Sequence, residues 1–366
     1  MLDEILKKRD LLPILKMNDG RDVTLGLWPE RRAEMLDALC RHSYGYTPEC
    51  TGPGRGEVVS EDIYAYAGKV LQQQIKISFP TPSGDFSFMA ELFIPKSINK
   101  PPVFLNLAFC PVPHRYIPVE EITDRGFALL VVCYQDIVND GLHGNYSDGL
   151  AKAFGTDNPR SPDEWGKIGM WAYGASRALD YILTREDLDG EHTAVVGHSR
   201  LGKTALWTAA QDERFWCACS NDSGYGGAAS SKHGTGERVD DFLRCGSWDW
   251  YCENFKLYRG EREDSKPYDQ AYLLALIAPR ILLVGSAEDD TGADPLSEFL
   301  TTLHASAAWK LLGEKGLVTP DRLPLPGDQL NDGNPCYHLR PHRHFFSRQD
   351  WNAYMDALNK KLNRDL

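Results

Sequence analysis

Apolar and polar positions change rhythm along the chain, and the changes mark out its elements. Residues 29–43 (PERRAEMLDALCRHS) place Met35, Leu36 and Leu39 at helical spacing with charge between them, which predicts a surface helix ahead of the main core, a lid or a brace. From 73 to 95 the period shortens to two: Ile75, Ile77 and Phe79, then Phe86 and Phe88, flank Pro82-Ser83-Gly84, the pattern of an antiparallel hairpin. Beyond it come short uninterrupted apolar runs: VFLNLAF (103–109), ALLVVCY (128–134), TAVVGHS (193–199), CACSNDS (217–223) and ILLVGSA (281–287). Helix-length stretches separate them. Strands that are apolar on both faces and alternate with helices predict a mainly parallel sheet covered on both sides. The clearest helix follows Pro162-Asp163-Glu164, and others are predicted over TALWTAAQ after Ser199 and over RQDWNAYMDALNKKL. A Gly- and Trp-rich stretch, Tyr225 to Tyr258, reads as an insertion over the sheet. The whole, 1–366, is expected to be one α/β domain, with an N-terminal brace over about 1–70 and a core over 71–366.

Composition narrows the function. Forty basic residues against 52 acidic ones leave a net charge of −12, which repels a nucleic-acid backbone on average, so no nucleic-acid partner is expected. No apolar run approaches the ~18 residues of a membrane helix, so no membrane partner is expected either. Nine cysteines without a Cys-x-x-Cys pair read as reduced core thiols. The first residues carry charge at Asp3, Glu4, Lys7, Lys8, Arg9 and Asp10 and show no export signal, so a cytoplasmic location is expected, although a trimmed secreted form also fits. Oligomeric state is not legible.

The sharpest chemical signal is Val195-Val196-Gly197-His198-Ser199-Arg200-Leu201-Gly202-Lys203, an apolar strand that ends in Gly-x-Ser and passes at once into a helix. A serine on such a turn is held clear of the sheet, with helix N-terminal N–H groups facing the place where an oxyanion forms. The usual Gly-x-Ser-x-Gly is broken by Leu201, with Gly202 one place later; the rival reading of Ser199 is a helix N-cap. A serine nucleophile needs an imidazole base and a carboxylate to orient it, in the chain order Ser, acid, His for an α/β-hydrolase. Downstream histidines are His233, His304, His338, His342 and His344, the last three crowded into a predicted loop ahead of the final helix; His344 is the preferred base. His342-x-His344 could be half of a metal pair, but no further cluster with ligand spacing accompanies it, and no metal or other cofactor is expected. The acid has two candidates, Asp290 at the end of LLVGSAEDD and Asp222 in SNDSG.

With those residues in hand, the chain resembles the glucuronoyl esterases, carbohydrate esterase family fifteen. The likeness rests on GHSRLGKTALW, PDEWGKIGMWAYGASRALDYI, SNDSGYGGAA, DWYCENF, LLALIAPRILLVGSAEDDTGADP and HLRPHRHFFSRQDW. It implies an α/β-hydrolase fold and a serine esterase that cleaves esters of glucuronic acid, in 4-O-methylated form on xylan or as smaller uronate esters, without a cofactor. By position it implies Ser199 as nucleophile, Arg200 as an oxyanion-binding group, His344 as base, Lys203 as a donor to sugar hydroxyls and Trp250 as a pocket tryptophan. An always-charged, planar arginine suits a developing oxyanion. The acid after the post-nucleophile strand is glutamate in many relatives where this chain has Asp222, and others carry it where Asp290 stands, so Asp290 ranks slightly ahead and both are kept. The rival functions are a deacetylase of acetylated sugars and a non-catalytic carbohydrate-binding relic.

Overall fold

The apolar runs assemble into one ten-stranded sheet, seen in a computed structural model that describes residues 1–141, 143–155 and 160–364. In chain order the strands are β1 (Arg55–Asp62), β2 (Val70–Thr81), β3 (Gly84–Pro95), β4 (Pro102–Ala108), β5 (Ala128–Cys133), β6 (Asp189–His198), β7 (Cys217–Asn221), β8 (Ile281–Ala287), β9 (Gln329–Leu330) and β10 (Cys336–Arg340). Their spatial order is β1-β2-β3-β5-β4-β6-β7-β8-β10-β9, with β5 through β10 parallel and the flanks antiparallel. The predicted hairpin is β2 and β3, in register from Val70↔Pro95 to Thr81↔Gly84.

Each parallel strand is buried on both faces because its successive side chains enter two different cores. Val103, Leu105 and Leu107 point to one and Phe104 to the other; Val195 opposes Ala194 and Val196; Leu282 and Val284 oppose Ile281 and Leu283. The first core is closed by the helices Lys167–Thr184, Arg200–Gln211 and Pro295–Leu311, the second by Val119–Asp124 and Arg348–Lys361. Among the described residues no helix is long and apolar enough to cross a membrane.

Four local expectations are corrected. The helix anticipated from Pro162 begins only at Lys167, because Tyr46 N–H takes the Asp163 carbonyl and Gly166 N–H donates to the Tyr44 carbonyl, tying the preceding residues to another segment. The 29–43 helix, Trp28–Leu39 continued by a π-turn to Tyr44, is a brace rather than a free surface element: Met35, Leu39 and Tyr44 are fully buried, and Tyr44 stacks on Trp207 at 4.3 Å. The stretch predicted as a loop from Tyr337 is strand β10 as far as Arg340, paired in parallel with β8, and only residues beyond it form the loop. The nine thiols are all free, but Cys50, Cys110 and Cys245 are exposed rather than core.

The segment from Tyr225 to Tyr258 lies between β7 and β8 and is built of short turns of helix, Val239–Cys245, Ser247–Trp250 and Glu253–Tyr258. It is anchored by a buried ion pair, Lys167 Nζ to Asp249 at 2.8 Å, and by the Gly144 N–H on the same carboxylate. That anchor sets Trp250 beside the C-terminal ends of the parallel strands, where ligands of open α/β sheets bind.

Candidate active site

Ser199 occupies the single residue between β6 and the helix Arg200–Gln211, with φ 57° and ψ −126°. A non-glycine residue there is strained. The turn is locked from both sides. The Ser199 N–H donates to the Asn221 carbonyl at 2.9 Å, and the Lys203 N–H closes back on the Ser199 carbonyl at 3.1 Å. Two glycines make room for it: a Cβ on Gly197 would stand 2.1 Å from the Leu201 carbonyl oxygen, and one on Gly202 would crowd the Ser223 side chain at 3.0 Å. This resolves the broken motif. Leu201 is fully buried in the core, and the helix residue that must be small is Gly202, which faces the end of β7. Ser199 is not an N-cap of the ordinary kind, since its side chain caps no helix N–H; among the described residues Ser199 Oγ forms no hydrogen bond.

His344 comes to this turn from the loop after β10. Its ring lies 4.4 Å, centroid to centroid, from that of His198, the residue before Ser199. Its Nδ1 is hydrogen-bonded to Asp290 Oδ2 at 2.5 Å. The other histidines go elsewhere: His338 Nε2 to Asp350 at 2.9 Å, His304 Nε2 to the Leu12 carbonyl, and His342 into the solvent-exposed part of the loop. His233 lies near the first helix, its carbonyl bonded to Arg9. Asp290 sits in the turn after β8, held by its own N–H to the Ala287 carbonyl and by the Ala293 N–H on its Oδ1. Burial pushes its carboxyl up, but the hydrogen bond and charge of His344 outweigh this, and Asp290 ends below the ordinary carboxylate value.

Asp222 is brought to the same place but bonded differently. Its Oδ2 accepts from Arg340 Nη2 at 2.9 Å and stands 4.0 Å from His198 Nδ1, while its Oδ1 is buried without a donor among the described residues. Burial, reinforced by the neighbouring Asp350, holds its carboxyl well above the ordinary value despite Arg340. Asp222, Asp290 and His344 each offer one ligand atom within 4.8 Å of the others, a donor set that the sequence spacing did not anticipate. Arg340 already supplies the positive charge that Asp222 faces, and His344 Nδ1 is engaged by Asp290.

Arg340, which sequence reasoning missed, organises the base-bearing loop. Buried at the end of β10, it donates through Nε to Asp350 at 2.7 Å and through Nη1 to the Pro341 and Arg343 carbonyls at 3.1 Å each, and also reaches the Phe345 carbonyl. Asp140 was missed as well. One of its oxygens pairs with Arg200 Nη1, the other accepts from Trp250 Nε1 at 2.7 Å, and Tyr134 OH adds a third bond at 3.0 Å. The Arg200 guanidinium consequently lies over the Trp250 ring at 4.6 Å, with its Nε–H buried and lacking an acceptor among the described residues. The first N–H groups of the helix that starts at Arg200 likewise have no intrahelical partner. Lys203 is 3% exposed and gives its ammonium to the Ser223 carbonyl at 2.7 Å and to Glu237 at 3.2 Å, so two of its three donors are used within the protein.

Beneath the site lies Glu298, fully buried on the helix Pro295–Leu311. Its Oε1 accepts from the Ser223 and Gly224 N–H groups at 2.9 Å each, and its Oε2 from Ser286 at 2.5 Å, joining the turn after β7 to β8. Burial raises its pKa to about 7, offset in part by those donors. The folded protein therefore holds this proton more tightly than the unfolded chain. The associated stability, ~3 kcal/mol, is fully present below about pH 4.5 and is lost as pH rises through about 7. His198, whose pKa burial depresses to about 3, acts in the opposite sense and only below its ordinary value of 6.5. Between pH 6.5 and 8.5 the urea midpoint of the wild type should fall, and that of Glu298→Gln should fall less; parallel curves would refute the assignment.

Comparison with known proteins places this arrangement. A family model described as glucuronyl esterase, fungi, matches residues 86–313. Carbohydrate esterase MZ0003, from an unknown prokaryotic organism, is 32% identical over 93% of this chain and 87% of its own length. The 4-O-methyl-glucuronoyl methylesterase of Schizophyllum commune is 27% identical over 81% of this chain and 72% of its own. The solved glucuronoyl esterase of Solibacter usitatus superposes with a TM-score of 0.87 at 32% identity, covering 95% of this chain and 96% of that one. The chain belongs to the glucuronoyl esterase family, carboxylic ester hydrolases with the α/β-hydrolase fold.

Proposed function

We propose that this protein hydrolyses esters of glucuronic acid by way of an acyl-enzyme on Ser199. The observation that carries the mechanism is the 2.5 Å bond between His344 Nδ1 and Asp290, beside the strained serine turn. That bond puts a proton on Nδ1 and leaves Nε2 as the basic nitrogen, so His344 takes the Ser199 hydroxyl proton as Oγ attacks the ester carbonyl. The tetrahedral oxyanion is met by the N–H groups at the start of the Arg200 helix and by the Arg200 guanidinium, whose Nε–H has no acceptor among the described residues. Asp140 keeps that guanidinium against Trp250, so little reorientation is needed when charge develops. Collapse expels the alcohol, protonated by His344, and leaves the uronoyl group on Ser199. Water then attacks by the same route, releasing glucuronate. Lys203 and Trp250 border the acyl side, Lys203 with one donor to spare for a sugar hydroxyl.

The decisive assay is turnover of benzyl glucuronate beside an acetylated xyloside. Release of benzyl alcohol is expected. Acetate release without glucuronate turnover would transfer the function to sugar deacetylation, with the sugar as leaving alcohol.

A further inference from the structure

A cleft of about 900 Å³ does not include Ser199 in its lining. His344 stands in its wall, which runs along the loop after β10 and the start of the helix Arg348–Lys361, and its lining includes Arg115, His342, Arg343, His344 and Arg348 against a single carboxylate, Asp289. Arg348 is paired with Glu121 at 2.9 Å. Arg115 and Arg343 are exposed and, among the described residues, neither has a carboxylate within ion-pair distance. Arg115 is nevertheless placed: its guanidinium lies over the Phe345 and Tyr116 rings at 5.4 and 5.5 Å. Arg343 directly precedes His344, and its carbonyl is held by Arg340. A second cavity of about 480 Å³ adjoins, sharing Arg115 and Arg348 in its wall.

Two uncompensated arginines in one cleft are out of keeping with a chain of net charge −12. A concave, locally positive surface on an acidic protein focuses its field on an incoming anion. The position says which part of a substrate would bring that anion. In the proposed reaction His344 hands its proton to the departing alcohol, so the alcohol half of the ester passes His344, and whatever that half carries extends toward this cleft. We infer that the cleft of Arg115 and Arg343 is an anion subsite for a carboxylate borne by the alcohol half of the ester. This rests on the esterase reading above and deepens it by naming a feature of the leaving group. Guanidinium suits the task, since it offers carboxylate a planar pair of donors and does not lose its charge.

The test compares kcat/KM for benzyl glucuronate, its 4-carboxybenzyl analogue, and the monobenzyl ester of a diuronic acid, which carries its free carboxylate on the acyl half instead. For solvent-exposed charge pairs the 4-carboxybenzyl ester should be preferred about fivefold at low salt. The preference should vanish at about 1 M salt, where the screening length is ~3 Å. It should also vanish in Arg115→Gln/Arg343→Gln, with benzyl glucuronate turned over as before, and return with Arg343→Lys in the Arg115 wild-type background. A preference that survives the double substitution, or one confined to the diuronate, would overturn the inference, as would equal rates for all three esters. Silence of the wild type on every ester would instead sink the esterase reading, and this inference with it.

Discussion

Ser199→Ala should lower kcat on benzyl glucuronate by roughly 10⁶, the order of loss when a serine nucleophile is removed from a triad. The fold should survive, because the strained turn is held by the Ser199 N–H and carbonyl and not by its hydroxyl, which makes no hydrogen bond among the described residues. The variant's melting temperature should thus equal or exceed that of the wild type, since alanine carries the same backbone strain without a polar group to place. Substrate binding should persist, so calorimetric titration of Ser199→Ala with benzyl glucuronate gives the ground-state affinity directly. Residual turnover within about tenfold of wild type would mean that Ser199 is not the nucleophile.

The second large effect separates the two acids. Asp290→Asn should lower kcat by about 10⁴, because an amide can present its N–H to His344 Nδ1 and so favour the tautomer that has lost the basic Nε2. Asp222→Asn should cost far less activity, since its bonded oxygen serves Arg340 and not His344. Its effect on stability should also be small, because burial already holds this carboxyl well above the ordinary value and an amide oxygen can still accept from Arg340. Reading kcat and the urea midpoint for both variants distinguishes the roles. If Asp222→Asn abolishes turnover while Asp290→Asn stays active, the carboxylate that serves the base is Asp222, and the 2.5 Å bond to Asp290 is structural.

The parts of this architecture legible in the chain are those written in local pattern. Period-two alternation marked β2 and β3, two-sided apolar runs marked β4 to β8, and Gly-x-Ser between a strand and a helix marked the turn of Ser199. Three strands escaped: β9 is only two residues long, and the patterns of the other two are not apolar. β1 is an edge strand, exposed along nearly its whole length, and its Glu57, Glu61 and Asp62 carry charge as edges often do. β10 reads Cys-Tyr-His-Leu-Arg, and the burial of His338 and Arg340 is compensated by Asp350, on a helix that follows, which pairs with both. That compensation is tertiary and leaves no periodic trace. Asp140 and Glu298 were invisible for the same reason: each is an isolated acid in sequence, and only folding brings it Arg200 and Trp250, or the Ser223–Gly224 turn and Ser286. The ordering of Asp290 over Asp222 came from resemblance; no spacing rule separated two carboxylates that each end a neighbouring strand.

Arg340 has a further consequence for how the enzyme wears out. The carbonyls that shape the His344 loop hang from its guanidinium, and that guanidinium is held by Asp350 in the first turn of the helix Arg348–Lys361. The base therefore depends on the docking of one helix by Trp351, Tyr354 and Leu358, whereas Ser199 depends on the sheet's centre. Partial opening of that helix costs less than global unfolding. It would disperse the base while leaving the nucleophile turn intact, so heating should extinguish catalysis before the sheet melts, and early cooling should restore it.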